Sequence, residues 1–248
     1  MYILGDIGNT ETKLCLVSKK KRIVKKIIFS SKNLNNLLLN SIFKKNKFKI
    51  TKVEKILFCS VVPKTYKIIK NYFLKKTKVK CYEVKNLKLK SLMNIKVNFH
   101  EVGSDRITNA ISLIDYKNNY IILDFGTATT FDVLIKNSYF GGIIAPGVKL
   151  SLNTLSDRAT LIPKIELKKI NKVIGNNTIT AVRSGFFWGY AGLIDNIINL
   201  IKKETKKSFR VIITGGFSHL FKKSIKTKVS HNRDITIKGL IKISQLIK

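Results

Sequence analysis

An internal repeat is the feature that most restricts how this chain folds. Residues 2–17 lie without a gap over residues 120–135, and Tyr2/Tyr120, Ile3/Ile121, Asp6/Asp124, Gly8/Gly126, Thr12/Thr130 and Leu16/Leu134 are identical pairs. Each copy reads as an apolar strand, an Asp-x-Gly polar turn and a second apolar strand, the pattern of a β-hairpin. A chance likeness of two short hairpins is the plain alternative. Against it stands their placement, since each copy opens one half of the 248 residues. A repeated supersecondary unit fixes architecture before any other signal does, so two domains are expected, 1–117 and 118–248.

The intervening segments alternate between strand and helix patterns. Strands are expected at 22–29, 55–60 and 79–84, with helices at 33–43, 64–74 and 105–116. In the second half a helix is expected at 180–203 and a buried strand at 210–214, ending in Gly215-Gly216. That order predicts an α/β protein with a mixed sheet in each half.

Composition sets limits on partners. Hydrophobic residues make up 44% of the chain, enough for real cores, and three prolines and fourteen glycines leave little room for disordered stretches. Forty-eight basic residues against fourteen acidic give a net charge of +34. The lysines are spread over nearly every polar face, and the run Lys19-Lys20-Lys21-Arg22 falls at an expected hairpin turn. A nucleic-acid-binding chain concentrates its charge on one helix or stripe. Dispersed lysine therefore reads as solvated surface, with no specific nucleic-acid partner. Cys15, Cys59 and Cys81 form no CxxC pair, and with His100, His219 and His231 they give no metal-ligand spacing. The first residues lack a signal-peptide pattern and no apolar run is long enough to cross a bilayer, so a cytoplasmic protein with no membrane partner is expected.

The two turns suggest phosphate chemistry. Glycine lets backbone approach a polyphosphate, and turn N–H groups with Thr or Asn side chains donate to its oxygens. The aspartate repels phosphate, so it needs a cation or water between them. Lys13 adds positive charge at the same end. One Asp-x-Gly turn means little; two related copies, one in each half, can hold a nucleotide from both sides. The P-loop and the dinucleotide-binding glycine pattern are both absent.

A set of ordered motifs resembles the type III pantothenate kinases. Asp6-Ile7-Gly8-Asn9-Thr10-Glu11-Thr12-Lys13 is similar to that family's first phosphate loop. Ser60-Val61-Val62-Pro63, Gly103-Ser104-Asp105-Arg106, Asp124-Phe125-Gly126-Thr127-Ala128-Thr129-Thr130, Gly141-Gly142 to Pro146-Gly147, and Thr214-Gly215-Gly216 follow in the family's order. The resemblance implies a duplicated ribonuclease-H-like fold, as in actin-like ATPases and sugar kinases, with the active site in the cleft between two domains. It further implies a homodimer that phosphorylates pantothenate with ATP to 4'-phosphopantothenate, the first step of coenzyme A biosynthesis. By the same resemblance Asp6 to Lys13 and Thr127 bind ATP, with Mg2+ accompanying the nucleotide. Gly103, Ser104, Asp105, Arg106 and Thr178 contact pantothenate, Asp105 is the general base, and Asp124 holds a monovalent cation, K+ or NH4+.

Several of these residues have blander readings. Ser104 or Asp105 suits a helix N-cap, and Thr178 suits the cap of the following helix. Gly185, Gly189 and Gly192 read as a packing or dimer-forming face. The chain departs from the family at Lys96-Val97-Asn98-Phe99-His100-Glu101, where a Tyr and an Asn-Pro are usual, which removes one expected pantothenate contact. That departure leaves open a kinase for another small hydroxylated acid. A non-enzymatic regulatory or nucleic-acid-binding protein on the same scaffold is the alternative from a different class.

Overall fold

The computed structural model describes residues 1–48, 50 and 52–247. In chain order the elements are strands β1 (Tyr2–Ile7), β2 (Glu11–Val17) and β3 (Ile23–Ser30), helix α1 (Asn36–Lys45), β4 (Lys55–Ser60), α2 (Pro63–Thr77), β5 (Cys81–Glu83), β6 (Asn94–Ile95) and α3 (Ser104–Leu113). There follow β7 (Asn119–Phe125), β8 (Ala128–Ile135), β9 (Ser138–Pro146), α4 (Val148–Arg158), α5 (Thr178–Thr205), β10 (Arg210–Gly215), α6 (Ser218–Phe221), β11 (Val229–His231) and α7 (Ile235–Ile243).

Two compact units result, one of Met1–Ile114, Asn137–Tyr139 and Asp234–Lys248, the other of Asp115–Lys136 and Phe140–Arg233. The first unit carries a sheet in the order β3-β2-β1-β4-β5. β1, β2 and β3 are antiparallel neighbours, while β4 pairs parallel with β1 and with β5. Ile3, Leu4 and Ile7 of β1 and Ile56, Leu57 and Phe58 of β4 are fully buried, as central strands covered on both faces must be. One side of the core is aromatic: Phe43 stacks on Phe73 at 5.7 Å, and Phe58 lies 6.0 Å from the same ring.

The second unit repeats the plan. The second sheet has six strands in the order β6-β9-β8-β7-β10-β11. Its five strands from β9 to β11 repeat the order of the first sheet, with β8 antiparallel to β7 and with β10 parallel to both β7 and β11. The short β6 pairs parallel with the start of β9. Ile121, Leu123, Phe125, Phe131, Phe187 and Phe221 form its core, and Phe125 stacks on Phe221 at 5.2 Å. The duplication read from two hairpins thus extends to two mixed sheets of one strand order.

The boundary lies differently from a division at residue 117. Residues 234–247 return to the first unit, because α7 is apolar on more than one side. Ile235, Ile237, Leu240 and Ile243 are all fully buried, and Thr236 donates to Asn109 Oδ1 of α3 at 2.8 Å. Lys26 of β3 pairs with Asp234 at 2.7 Å just before this helix. A short apolar segment without a turn signal gave no indication of that return.

Candidate functional site

In the first unit the β1–β2 turn and the head of α3 carry the candidate side chains. The turn is closed by Gly8 N–H donating to Glu11 O at 3.0 Å, which leaves Asn9 and Thr10 exposed at its tip. Asp6 faces Lys13 across the hairpin and Cys59 on the parallel strand β4. Its carboxyl is raised to about 6 by burial; Lys13 opposes that shift, Asp105 adds to it, and the Cys59 thiol, donating at 3.4 Å, holds it down. Asp6, Lys13 and Asp105 therefore share one electrostatic neighbourhood, although 92 residues of sequence (13 to 105) separate the last two. Ile7 and Thr12 point inward: both are fully buried, and Thr12 is hydrogen-bonded to Ser31 at 2.8 Å. Ile7 is committed to the core and Thr12 to its bond with Ser31, so the exposed part of the turn is its backbone with Asn9 and Thr10.

Asp105 does not cap α3. Gly103 occupies the cap position with no side-chain bond. The buried Ser104 hydroxyl donates instead to the Ser60 carbonyl at 2.9 Å and accepts the Ser60 N–H at 2.8 Å, tying α3 to the end of β4. Asp105 Oδ1 accepts the Arg106 N–H at 2.8 Å. Gly103 leaves the space this carboxylate uses, since a β-carbon there would stand 2.4 Å from Asp105 Oδ1. Burial raises the Asp105 carboxyl, and the backbone N–H and charge of Arg106 oppose the rise. A partly buried carboxylate at a helix N-terminus, beside a guanidinium, can accept a proton from a hydroxyl while the guanidinium holds an anion.

In the second unit Asp124 sits near the end of β7, opposite Thr130 on β8 and Thr214 on β10. Gly126 N–H donates to Ala128 O at 3.0 Å, the counterpart of the first turn, and Thr127 is exposed at the tip. Gly215, with φ +85°, packs against this strand end, where a β-carbon would lie 2.5 Å from Asp124 Oδ1. Thr178 is not the cap of α5. Asn177 is, accepting the Thr180 N–H at 2.9 Å in a reciprocal capping box, and Thr178 is the exposed first helical residue. Gly185, Gly189 and Gly192 stand on an exposed face of α5, and a β-carbon on any of them meets nothing within 4 Å. They do not serve close packing within the chain.

Cys59 and Glu83 were not read from the sequence as site residues. A cysteine in an apolar strand and a glutamate among lysines carry no local signal, and only strand pairing brings them beside Asp6 and Ser104. Among the described residues no group of three or more His, Cys, Asp or Glu side chains could hold a metal ion. No described helix is long and apolar enough to cross a membrane.

Two mixed sheets of one strand order, each with an Asp-x-Gly turn after its first strand, define the actin-like ATPase and sugar kinase class. A protein assigned as a 2-dehydro-3-deoxygalactonokinase from Sinorhizobium meliloti superposes with a TM-score of 0.61 at 8% identity, over 100% of this chain and 99% of that one. The activator of the 2-hydroxyisocaproyl-CoA dehydratase from Clostridium difficile, with bound ADPNP, gives 0.54 at 11% identity over 99% and 95%. The model of the type III pantothenate kinase family matches residues 2–200, and a type III pantothenate kinase of Pelagibacter ubique is 64% identical over the full length of both chains. The chain belongs to the type III pantothenate kinase family.

Proposed function

We propose that this chain transfers the γ-phosphoryl group of ATP to the terminal hydroxyl of pantothenate, giving 4'-phosphopantothenate, the first step of coenzyme A biosynthesis. One observation carries the reading: the Asp6 turn and the Asp105–Arg106 pair share a single electrostatic neighbourhood in a chain of this family. Phosphoryl transfer asks mainly for positioning and charge stabilisation, and both are supported here.

In the first unit, the Asp6–Lys13 turn takes ATP phosphate oxygens through its N–H groups, the exposed Asn9 and Thr10 side chains and the Lys13 ammonium. Asp105 orients the pantothenate hydroxyl and accepts its proton as the bond to phosphorus forms. Arg106, with Gly103 and Ser104, holds the acceptor in place. In the second unit, Thr127 contacts ATP and Thr178 contacts pantothenate. Asp6 suits Mg2+ arriving with the nucleotide, because a carboxylate that burial and Asp105 still destabilise, despite Lys13 and the Cys59 thiol, gains from a nearby cation. Asp124 suits K+ or NH4+, as a carboxylate oxygen held against backbone at a strand end offers a hard oxygen environment. When bound, these ions neutralise charge developing on the phosphates.

The chain acts in the cytoplasm as a homodimer. Leu161 and Ile174 are 89% and 88% exposed, and Ile179 and the glycine face of α5 lie in the same half of the chain. Release of ADP by the purified protein, measured with and without pantothenate, tests the reading. Turnover that requires pantothenate is expected; equal ADP release in its absence, or none in its presence, overturns it.

A further inference from the structure

A cavity of about 420 Å3 opens in the first unit beside the Gly103–Arg106 loop, and two of its lining residues, Glu83 and Lys85, have no role among those assigned so far. Val61, Pro63 and Tyr66 give it an apolar side; Glu83, Lys85 and Ser104 give it a polar one. That mixture, an apolar wall with a few placed polar groups, is the usual make-up of a small-molecule site.

Glu83 is the unusual group. It ends β5, and its Oε2 accepts the Lys85 N–H at 2.7 Å. Its Oε1 is shut off from solvent and has no hydrogen-bond donor. The Ser104 hydroxyl and the Ser60 N–H are close enough to temper the carboxyl, which burial raises, but the hydroxyl donates to the Ser60 carbonyl and the N–H to Ser104 Oγ. A buried carboxylate oxygen without a donor is costly, and a ligand that supplies one recovers that cost on binding. Lys85 is held in turn: its ammonium donates to His100 O at 2.9 Å and stands 5.8 Å from the Phe99 ring centre. Its charge is also felt at Asp105. The cavity wall is thereby fastened to segment 96–101 and coupled to the candidate base.

We infer that Glu83 is a specificity-determining residue, whose Oε1 accepts a hydrogen bond from a hydroxyl or amide N–H of the phosphoryl acceptor lying in this cavity, while Lys85 positions the wall that holds it. The inference rests on the kinase reading and deepens it. Pantothenate has the matching parts: a dimethyl-branched carbon for the apolar wall, and a secondary hydroxyl and an amide N–H as donors. A site built to receive a donor rejects an analogue lacking it far more strongly than an apolar pocket rejects a missing methylene.

The test is steady-state kinetics of the full chain with pantothenate, with an analogue lacking the secondary hydroxyl and with one N-methylated at the amide. The variants are Glu83→Ala, the near-isosteric Glu83→Gln and Lys85→Met. Glu83→Ala should raise KM for pantothenate about 10-fold or more, the loss of one charged hydrogen bond. KM for ATP should stay unchanged, and discrimination against at least one analogue should vanish. Glu83→Gln should show the same changes at reduced size, and it carries the test if the alanine variant does not fold. Lys85→Met should raise KM for pantothenate with less effect on discrimination. Wild-type KM and unaltered discrimination in the Glu83 variants overturn the inference while leaving the kinase reading intact. A wild-type chain that does not turn over pantothenate overturns both.

Discussion

The Cys59 thiol donates to Asp6 Oδ1 across 3.4 Å, from the last turn-ward residues of β4 to the neighbouring end of β1. Sulfur is a weak donor, so it only partly offsets the cost of a carboxylate that burial and Asp105 push up to about 6. Asp6 is thus held in a state that costs stability, in the turn assigned to phosphate.

That cost has a sign and a window. The folded value lies above the unfolded one near 3.8, so the protonated form favours the native state. The advantage is complete below about pH 4 and is lost as pH rises through 6. A shift of roughly two units corresponds to about 3 kcal/mol at most. Asp6→Asn should therefore gain stability on the wild type at pH 8, by up to about that amount, and show little gain at pH 4. Urea midpoints at the two pH values measure it, and the same difference at both would remove Asp6 as the source. The variant should also lose most of its turnover.

Asp105→Asn separates the chemistry from the scaffold. Ser104, not Asp105, ties α3 to β4, and Asp105 does not cap the helix. The variant should fold and keep its KM for ATP while turnover falls about 10²-fold or more, the usual contribution of a general base. Near-wild-type turnover would reduce Asp105 to its local bond with the Arg106 N–H.

The repeat was legible because a strand–turn–strand unit is written in adjacent residues. The Asp-x-Gly turns and the strands at 55–60 and 210–214 could be read for the same reason. What escaped depends on residues far apart. β9 and α4 follow the second hairpin without a distinct period, β11 is three residues long, and α7 joins the first unit through contacts such as Thr236 with Asn109. The caps lie one or two positions before the residues the sequence suggests: Gly103 takes the place of Ser104 or Asp105, and Asn177 that of Thr178. At each, several adjacent polar residues suit a cap, and only the backbone path selects among them. The Asp6–Cys59 and Ser60–Ser104 bonds span 53 and 44 residues, so no local pattern could announce them.

Gly215 controls the surroundings of Asp124. At φ +85° a side chain is strained, and its β-carbon would meet both Asp124 Oδ1 and the Phe125 backbone. Gly215→Ala should lower stability by about 1–3 kcal/mol and displace the carboxylate. If Asp124 holds a monovalent cation, wild-type activity should rise when potassium or ammonium replaces sodium at constant ionic strength. Both Gly215→Ala and Asp124→Ala should blunt that response. Equal rates in sodium and potassium for the wild type would remove the site.

The net charge of +34 provides the last prediction. Its lysines are distributed over both units; α1 and α2, for example, each carry basic residues in their last turn, where the helix dipole favours them. Dispersed charge attracts any polyanion through counterion release, with affinity that falls steeply as salt rises. Binding to duplex DNA should therefore be measurable at low salt and collapse by physiological salt, with a ratio between unrelated sequences near one. Saturating DNA at physiological salt should leave pantothenate-dependent ADP release nearly unchanged. Binding isotherms over a salt series, paired with the kinase assay, measure both. Sequence-selective binding that survives physiological salt would give the charge a function that lysine-rich solvated faces do not have.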